Sequence, residues 1–242
     1  MTSTRRTSVT TGVLLVAATF AAIAAAALLP TLSGPDRLTE AAGHSGQVAA
    51  AALLYLVAAG TSVGIAITLY PLLKGFDATL ALGSVVFRTI EAVFYTVGVV
   101  SLLSLLTLGE QHATAAPAGD ASALASADVL LSVRDHSSLV AVFAFSVGAL
   151  MYYVVFLRSR LVPRWLSVFG IVAVLLMLCG CLLALFSNSD VTGYKPLVAP
   201  IFLQELVLAV WLLVKGFSRA PLPSGASFES PLSASPLSPG RR

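Results

Sequence analysis

The sequence predicts an all-α fold, a polytopic transmembrane helix bundle of about six spans with both termini in the cytoplasm. Hydrophobic residues make up 57% of the 242-residue chain and charged residues only 10%, whereas a soluble domain carries about 25% charged residues. Apolar runs of about 20 residues, long enough for a helix to cross the bilayer, recur along the chain. Basic residues lie between these runs, a pattern of membrane topology, so we expect no nucleic-acid partner.

Six apolar runs predict membrane helices, because they are far longer than strands and lack an apolar/polar alternation. Open strands would also leave backbone groups unpaired in a bilayer. The predicted helices lie near 10–29, 48–70, 82–108, 138–157, 165–186 and 198–217. Together they form one predicted transmembrane bundle over residues 1–218. A Pro- and Ser-rich tail, 219–242, follows it, and we expect this cytoplasmic tail to be disordered.

Composition and turn residues define the ends of these helices. The first run follows "MTSTRR" as a secretory signal would, but it is long for a signal core, so we expect the helix to be retained. Pro71 predicts a break after the second helix, and Pro163 precedes the fifth. The longest connection, 109–137, begins with flexible residues. Its second half, "ASALASADVLLSVRD", could form a short helix on the outer surface or extend the fourth helix.

Lysine and arginine residues fall mainly on one side of the predicted membrane. With the N-terminus inside, ten basic residues lie on the inner side: Arg5, Arg6, Lys74, Arg158, Arg160, Arg164, Lys215, Arg219, Arg241 and Arg242. The outer connections carry three, which are Arg37, Arg134 and Lys195. Because Lys/Arg bias in short loops sets orientation, both termini are predicted to be cytoplasmic.

Charged residues inside the predicted spans mark the candidate functional site. Arg88 and Glu91 lie one turn apart in the third helix, and Glu205 lies in the sixth. At 1.5 Å per residue, Arg88 lies ~9 Å and Glu205 ~12 Å from the nearer helix end. A charge left alone at such a depth costs about 2.5–3.5 kcal/mol, so these groups are expected to face the bundle interior and pair.

The polar and small residues of the third helix lie along one stripe of its surface. They are spaced four, three, four and three residues apart, as one face of a helix requires: Ser84, Arg88, Glu91, Tyr95 and Gly98. We therefore predict a buried polar cluster of Arg88, Glu91, Glu205, Gln204 and Tyr95. One arginine against two glutamates leaves a formal charge of minus one, which a proton or a bound cation could balance. Three interpretations stay open: a ligand or proton site, a staple that fixes helix register, and an Arg88 that snorkels to the cytoplasmic interface.

Other site chemistry is sparse. His44, His112 and His136 lie outside the helix centres, which argues against a bundle-core haem. Cys179 and Cys181 are two residues apart, do not face each other on a helix, and are interpreted as small apolar packing residues. The chain has no H-E-x-x-H, G-x-S-x-G or P-loop motif. We therefore predict no catalytic residue, no metal and no cofactor, and expect that the protein is not an enzyme.

Three stretches carry a family resemblance: "LYPLLKGFDATLALGSVVFRTIEAV", "GALMYYVVFLRSRLVPRWLSVFGIV" and "PIFLQELVLAVWLLVKGF". Over residues 10–218 the chain resembles the bacterial and archaeal membrane family called domain of unknown function 4386. The resemblance implies a multi-pass protein of the bacterial cell membrane and puts Arg88, Glu91 and Glu205 on the polar positions of the family. It implies no activity.

These observations leave three function classes. We rank first an accessory, sensory or structural membrane protein held together by its polar cluster. A small transporter or proton-linked permease is second, since neither an inverted repeat nor a broken midplane helix is evident. An intramembrane enzyme acting on lipid is third, since it lacks a recognisable nucleophile. The expected partners are the lipid bilayer and a lipid or small solute ligand; partner proteins are unknown.

Overall fold

A computed structural model describes residues 3–32, 34–115, 121–187 and 191–218. These ranges contain α1 Ser3–Leu28, α2 Arg37–Gly43, α3 Ser45–Leu73, α4 Ala78–Ala115, α5 Ala121–Ser159, α6 Arg164–Ser187 and α7 Lys195–Val214, with a short 3-10 helix, Val191–Tyr194, before α7. All of the α-helices except α2 are long and apolar enough to cross a membrane. The predicted all-α transmembrane bundle of six spans is therefore confirmed.

The six long helices form a closed ring. Each long helix packs against the next long helix in the chain, so that α1 packs against α3, and α7 packs against α1. Successive helices run in opposite directions, so the short connections need to join only adjacent helix ends. The interior core contains large buried side chains such as Tyr152, Tyr153 and Phe156 of α5. The ring thus encloses a central space to which every long helix presents one face.

The start of α1 lies against the end of α7. Ser8 Oγ donates to Leu212 O at 2.6 Å, and Arg5 Nη2 donates to Leu213 O at 2.7 Å. The last carbonyls of a helix have no partner within the helix and carry partial negative charge, so a guanidinium there is favourable. These contacts close the ring at one end of the bundle, which we call the terminal end. The opposite end, which carries α2, is called the α2 end.

The structure extends two of the predicted helices. The third was expected over 82–108 and the fourth over 138–157, but α4 has 38 residues and α5 has 39. Residues 109–115 and 121–137 are therefore helical, which agrees with the alternative that extends the fourth helix, and the rest of the expected connection, 116–120, lies outside the described residues. The cause is a second apolar core at the α2 end, where Leu38 of α2, Leu105 of α4 and Ala127 of α5 are buried together. The short helix α2 was not predicted.

Two further expectations concern helix ends. Pro71 does not break the second helix, because α3 includes it and continues to Leu73. A proline lacks the backbone N–H for one helical hydrogen bond. Only two residues of α3 follow Pro71, so little of the helix lies beyond this missing bond. Pro163 does precede the next helix, since α6 begins at Arg164. The predicted disordered tail, 219–242, lies outside the described residues.

Candidate functional site: a buried arginine with two glutamates

Arg88 lies between two carboxylates inside the ring. Its Nη1 donates to Glu91 Oε2 at 3.0 Å, one turn along α4. Its Nη2 lies 3.9 Å from Glu205 Oε1 of α7. The exposed fractions of Arg88, Glu91 and Glu205 are 2%, 4% and 6%. Arg88 thus points into the bundle rather than toward the terminal end, and ion pairing connects α4 to α7 across the interior.

Two hydroxyl groups complete the coordination of the carboxylates. Ser62 of α3 donates to Glu91 Oε2 at 2.6 Å, and Thr19 of α1 donates to Glu205 Oε2 at 3.1 Å. Hydrogen bonds to an ionised acceptor are stronger than those between neutral groups. Sequence reasoning did not identify Ser62 or Thr19. With them, four helices of the ring meet at one polar group, which we call the charge cluster: Thr19, Ser62, Arg88, Glu91 and Glu205.

Aromatic side chains of α5 cover the arginine. Its guanidinium carbon lies 4.5 Å from the ring centroid of Phe145 and 5.9 Å from that of Tyr152. A cation over an aromatic face gains electrostatic stabilisation, and more where water is excluded. A Cβ at Gly148 would lie 3.3 Å from Arg88 Cγ, so the absence of a side chain there lets α5 approach α4 closely. The Arg88 Nε has no hydrogen-bond partner in the described part of the chain.

Gln204 and Tyr95, the other two residues of the predicted buried polar cluster, lie beside the charged groups and make contacts of their own. Gln204 is fully buried, but its side-chain oxygen accepts a hydrogen bond from the Tyr153 hydroxyl of α5. The ring of Tyr153 packs over Gly170 of α6, where a Cβ would lie 2.5 Å from a ring carbon. Gln204 therefore links α7 to α5 beside the charge cluster. The Tyr95 ring stacks on Tyr55 of α3, with 6.2 Å between centroids.

Two cavities adjoin these residues. A small inner cavity of about 70 Å³ lies at the charge cluster, and its walls include Arg88, Glu91 and Glu205. A larger pocket of about 230 Å³, which we call the outer pocket, lies toward the α2 end. Tyr95 contributes to the walls of both. The inner cavity is large enough for water molecules, so the arrangement can hold a proton or a small polar species beside two carboxylates.

Some residues weighed in the sequence lie apart from the charge cluster. His44 is exposed and pairs with Glu40 at 3.3 Å, and Cys181 is a buried free thiol. Within the described ranges, no group of three or more His, Cys, Asp or Glu side chains is arranged to hold a metal ion. Among the described residues, the charged side chains that are buried inside the ring are the two carboxylates and the guanidinium between them.

The six long apolar helices define the chain as a multi-pass integral membrane protein of unassigned activity. A family model described as domain of unknown function (DUF4386) matches residues 10–216. The match covers most of the chain and includes every residue of the charge cluster, so this chain belongs to the DUF4386 family. No curated protein and no solved structure matches the chain.

Proposed function

We propose that this protein is a sensory or accessory membrane bundle in which the charge cluster holds four helices in one fixed register. The observation that carries the proposal is the double support of each glutamate. Glu91 contacts Arg88 and the Ser62 hydroxyl of α3. Glu205 contacts Arg88 and the Thr19 hydroxyl of α1. Breaking any one contact leaves buried polar groups unpaired, which favours a single arrangement of the helices.

The continuity of the helices also supports this role. Transporters commonly bind their substrate at helices interrupted near the midplane of the bilayer. Here α4 runs without interruption through Arg88 and Glu91, and α7 stays helical from Lys195 through Glu205 although it contains Pro200. In a bundle with continuous helices and a polar centre, a change of helix packing at one end can be transmitted to the other end without transport of a solute. We place the protein in the bacterial cell membrane, with the lipid bilayer as its main partner.

A proton-linked permease is the second candidate, and one observation favours it. With all three groups ionised, the charge cluster has a formal charge of minus one. The inner cavity of about 70 Å³ lies directly beside the carboxylates. A proton taken up there would neutralise the excess charge, and buried carboxylates in membrane proteins commonly form proton relays. In this alternative Glu91 and Glu205 exchange protons during transport.

Proton flux in liposomes separates the two candidates. Purified protein is reconstituted with a pH-sensitive dye inside, and a potassium diffusion potential drives protons inward. The proposed bundle should show no flux above that of protein-free liposomes. A flux that is lost in Glu205→Gln but kept in Glu40→Gln, a control at an exposed glutamate, would contradict the proposal and establish the permease.

A further inference from the structure

The outer pocket has walls of two different kinds. Aromatic rings of Tyr55, Phe94 and Tyr95 and aliphatic side chains such as Leu102 form most of its surface. Arg134 and Asp135 of α5 form a charged part of the wall. The pocket therefore combines an apolar body with one local polar region, as small-molecule sites commonly do.

The polar region is neutral overall. Arg134 Nε and Nη2 both donate to Oδ1 of Asp135, at 2.9 Å and 2.7 Å. The two side chains are 25% and 36% exposed, and both line the pocket. This contact uses one oxygen of the carboxylate and two nitrogens of the guanidinium. It leaves Oδ2 of Asp135 as an acceptor and Nη1 of Arg134 as a donor for a ligand.

The volume limits the size of the occupant. An engineered apolar cavity of about 150 Å³ in another protein holds benzene. The outer pocket, at about 230 Å³, therefore has room for one six-membered ring with a short substituent. An aromatic ring suits the walls, because offset or edge-to-face contacts with neighbouring rings are favourable. Since the Arg134–Asp135 pair is neutral, a charged ligand would leave one charge uncompensated.

We propose that the outer pocket binds a neutral, amphipathic molecule with a single aromatic ring and a hydroxyl group, a phenol in chemical class. The ring packs against the wall that Tyr55, Tyr95 and Phe94 form, and the hydroxyl donates to Asp135 and accepts from Arg134. A lipid acyl chain would fill the apolar part of the pocket but leave the donor and acceptor unused. The pocket stands on its own geometry and does not rest on the proposed function.

The shared wall gives this site a connection to the interior. Tyr95 lies on the same face of α4 as Glu91, one turn away, and lines both cavities. A ring bound in the outer pocket contacts Tyr95 directly, so it restrains the side chain that separates the ligand from the charge cluster. In a sensory bundle, this contact is where occupancy of the pocket would alter helix packing.

Thermal unfolding in detergent with 4-ethylphenol as the probe tests the site. A ligand that binds only the folded protein raises Tm with the logarithm of its concentration above Kd, by roughly 3–5 °C at ten times Kd. Ala26→Phe places a ring in the pocket at an exposed wall position and should abolish the rise. Ala27→Phe, at the next exposed position and outside the pocket wall, is the matched control and should keep it. Asp135→Ala should weaken binding of the probe by roughly 10- to 100-fold, the loss of one hydrogen bond to a charged group.

Two comparison probes test the chemical class. Ethylbenzene lacks the hydroxyl, and 4-ethylbenzoate replaces it with an anion, so both should raise Tm less than 4-ethylphenol does. An equal rise with ethylbenzene would overturn the phenol assignment in favour of an acyl chain. A larger rise with 4-ethylbenzoate would overturn the neutral-ligand argument. A response in Ala26→Phe equal to that of wild type would place the binding elsewhere and refute the site.

Discussion

Removal of Arg88 alone should destabilise the bundle more than removal of all three charges. Arg88→Leu leaves Glu91 with only the Ser62 hydroxyl and Glu205 with only the Thr19 hydroxyl. Deleting one partner of a buried ion pair costs roughly 3–5 kcal/mol, whereas replacing the whole group with apolar residues is often neutral. For a chain of this size, that loss corresponds to a fall in Tm of roughly 6–20 °C.

The assay is thermal unfolding in detergent of wild type, the single variant and the triple variant that adds Glu91→Leu and Glu205→Leu. The triple variant should recover most of the Tm that the single variant loses. Arg158→Leu is the matched control, because Arg158 is 69% exposed and lies 3.7 Å from Asp77. An exposed pair of this kind contributes about 0–1 kcal/mol. A single variant as stable as wild type, or a triple variant less stable than the single, would refute the pairing.

Three further predictions follow from the same contacts. A reporter fused after Lys74 should be cytoplasmic and one fused after Asp36 should be external, since basic residues concentrate on the Lys74 side. Ser62→Ala should lower Tm by the equivalent of about 1.5–3 kcal/mol, the contribution of a hydrogen bond to a charged group, because Glu91 loses a donor at 2.6 Å. Arg5→Ala should increase hydrogen exchange at the end of α7, because the carbonyl of Leu213 loses its donor.

Each of these three predictions has a result that would contradict it. A reporter signal on the same side at both fusion points would contradict the helix count between them. Ser104→Ala removes an exposed hydroxyl that bonds only within its own helix. An equal fall in Tm in Ser104→Ala and Ser62→Ala would mean that the contact of Ser62 with Glu91 does not stabilise the bundle. Arg6→Ala is the control for Arg5, and equal exchange in the two variants would mean that Arg5 does not cap α7.

The apolar runs predicted the six spans because the bilayer requires about 20 apolar residues per helix. The pairing of Arg88 with Glu91 followed from their spacing, and that with Glu205 from its depth and the cost of an isolated charge. The helix ends were less predictable. The sequence at 109–137 has the composition of a loop, and the tertiary packing of α2 on α4 and α5 accounts for the helical structure at 109–115 and 121–137.

The hydroxyl partners could not be read from the sequence for a physical reason. A serine or threonine in an apolar helix can satisfy its hydroxyl with the carbonyl four residues before it. Thr61 does so with Val57 O at 2.7 Å, while its neighbour Ser62 donates across the bundle to Glu91. The difference depends on which side of α3 faces the ring interior. An uninterrupted apolar helix gives little pattern from which to determine that side.

Solid-state NMR in lipid bilayers would test the central claim, that Arg88 pairs with two glutamates inside the ring. The protein is labelled with nitrogen-15 in the arginine guanidinium groups and carbon-13 in the glutamate side-chain carboxyls. In the described part of the chain, arginine–glutamate ion pairs involve only Arg88, and the arginine–aspartate pairs are those of Arg37, Arg134 and Arg158. We predict nitrogen–carbon dipolar dephasing that weakens in Glu91→Gln and vanishes in Arg88→Lys. Absence of dephasing in the wild type, or its persistence in Arg88→Lys, would contradict the claim.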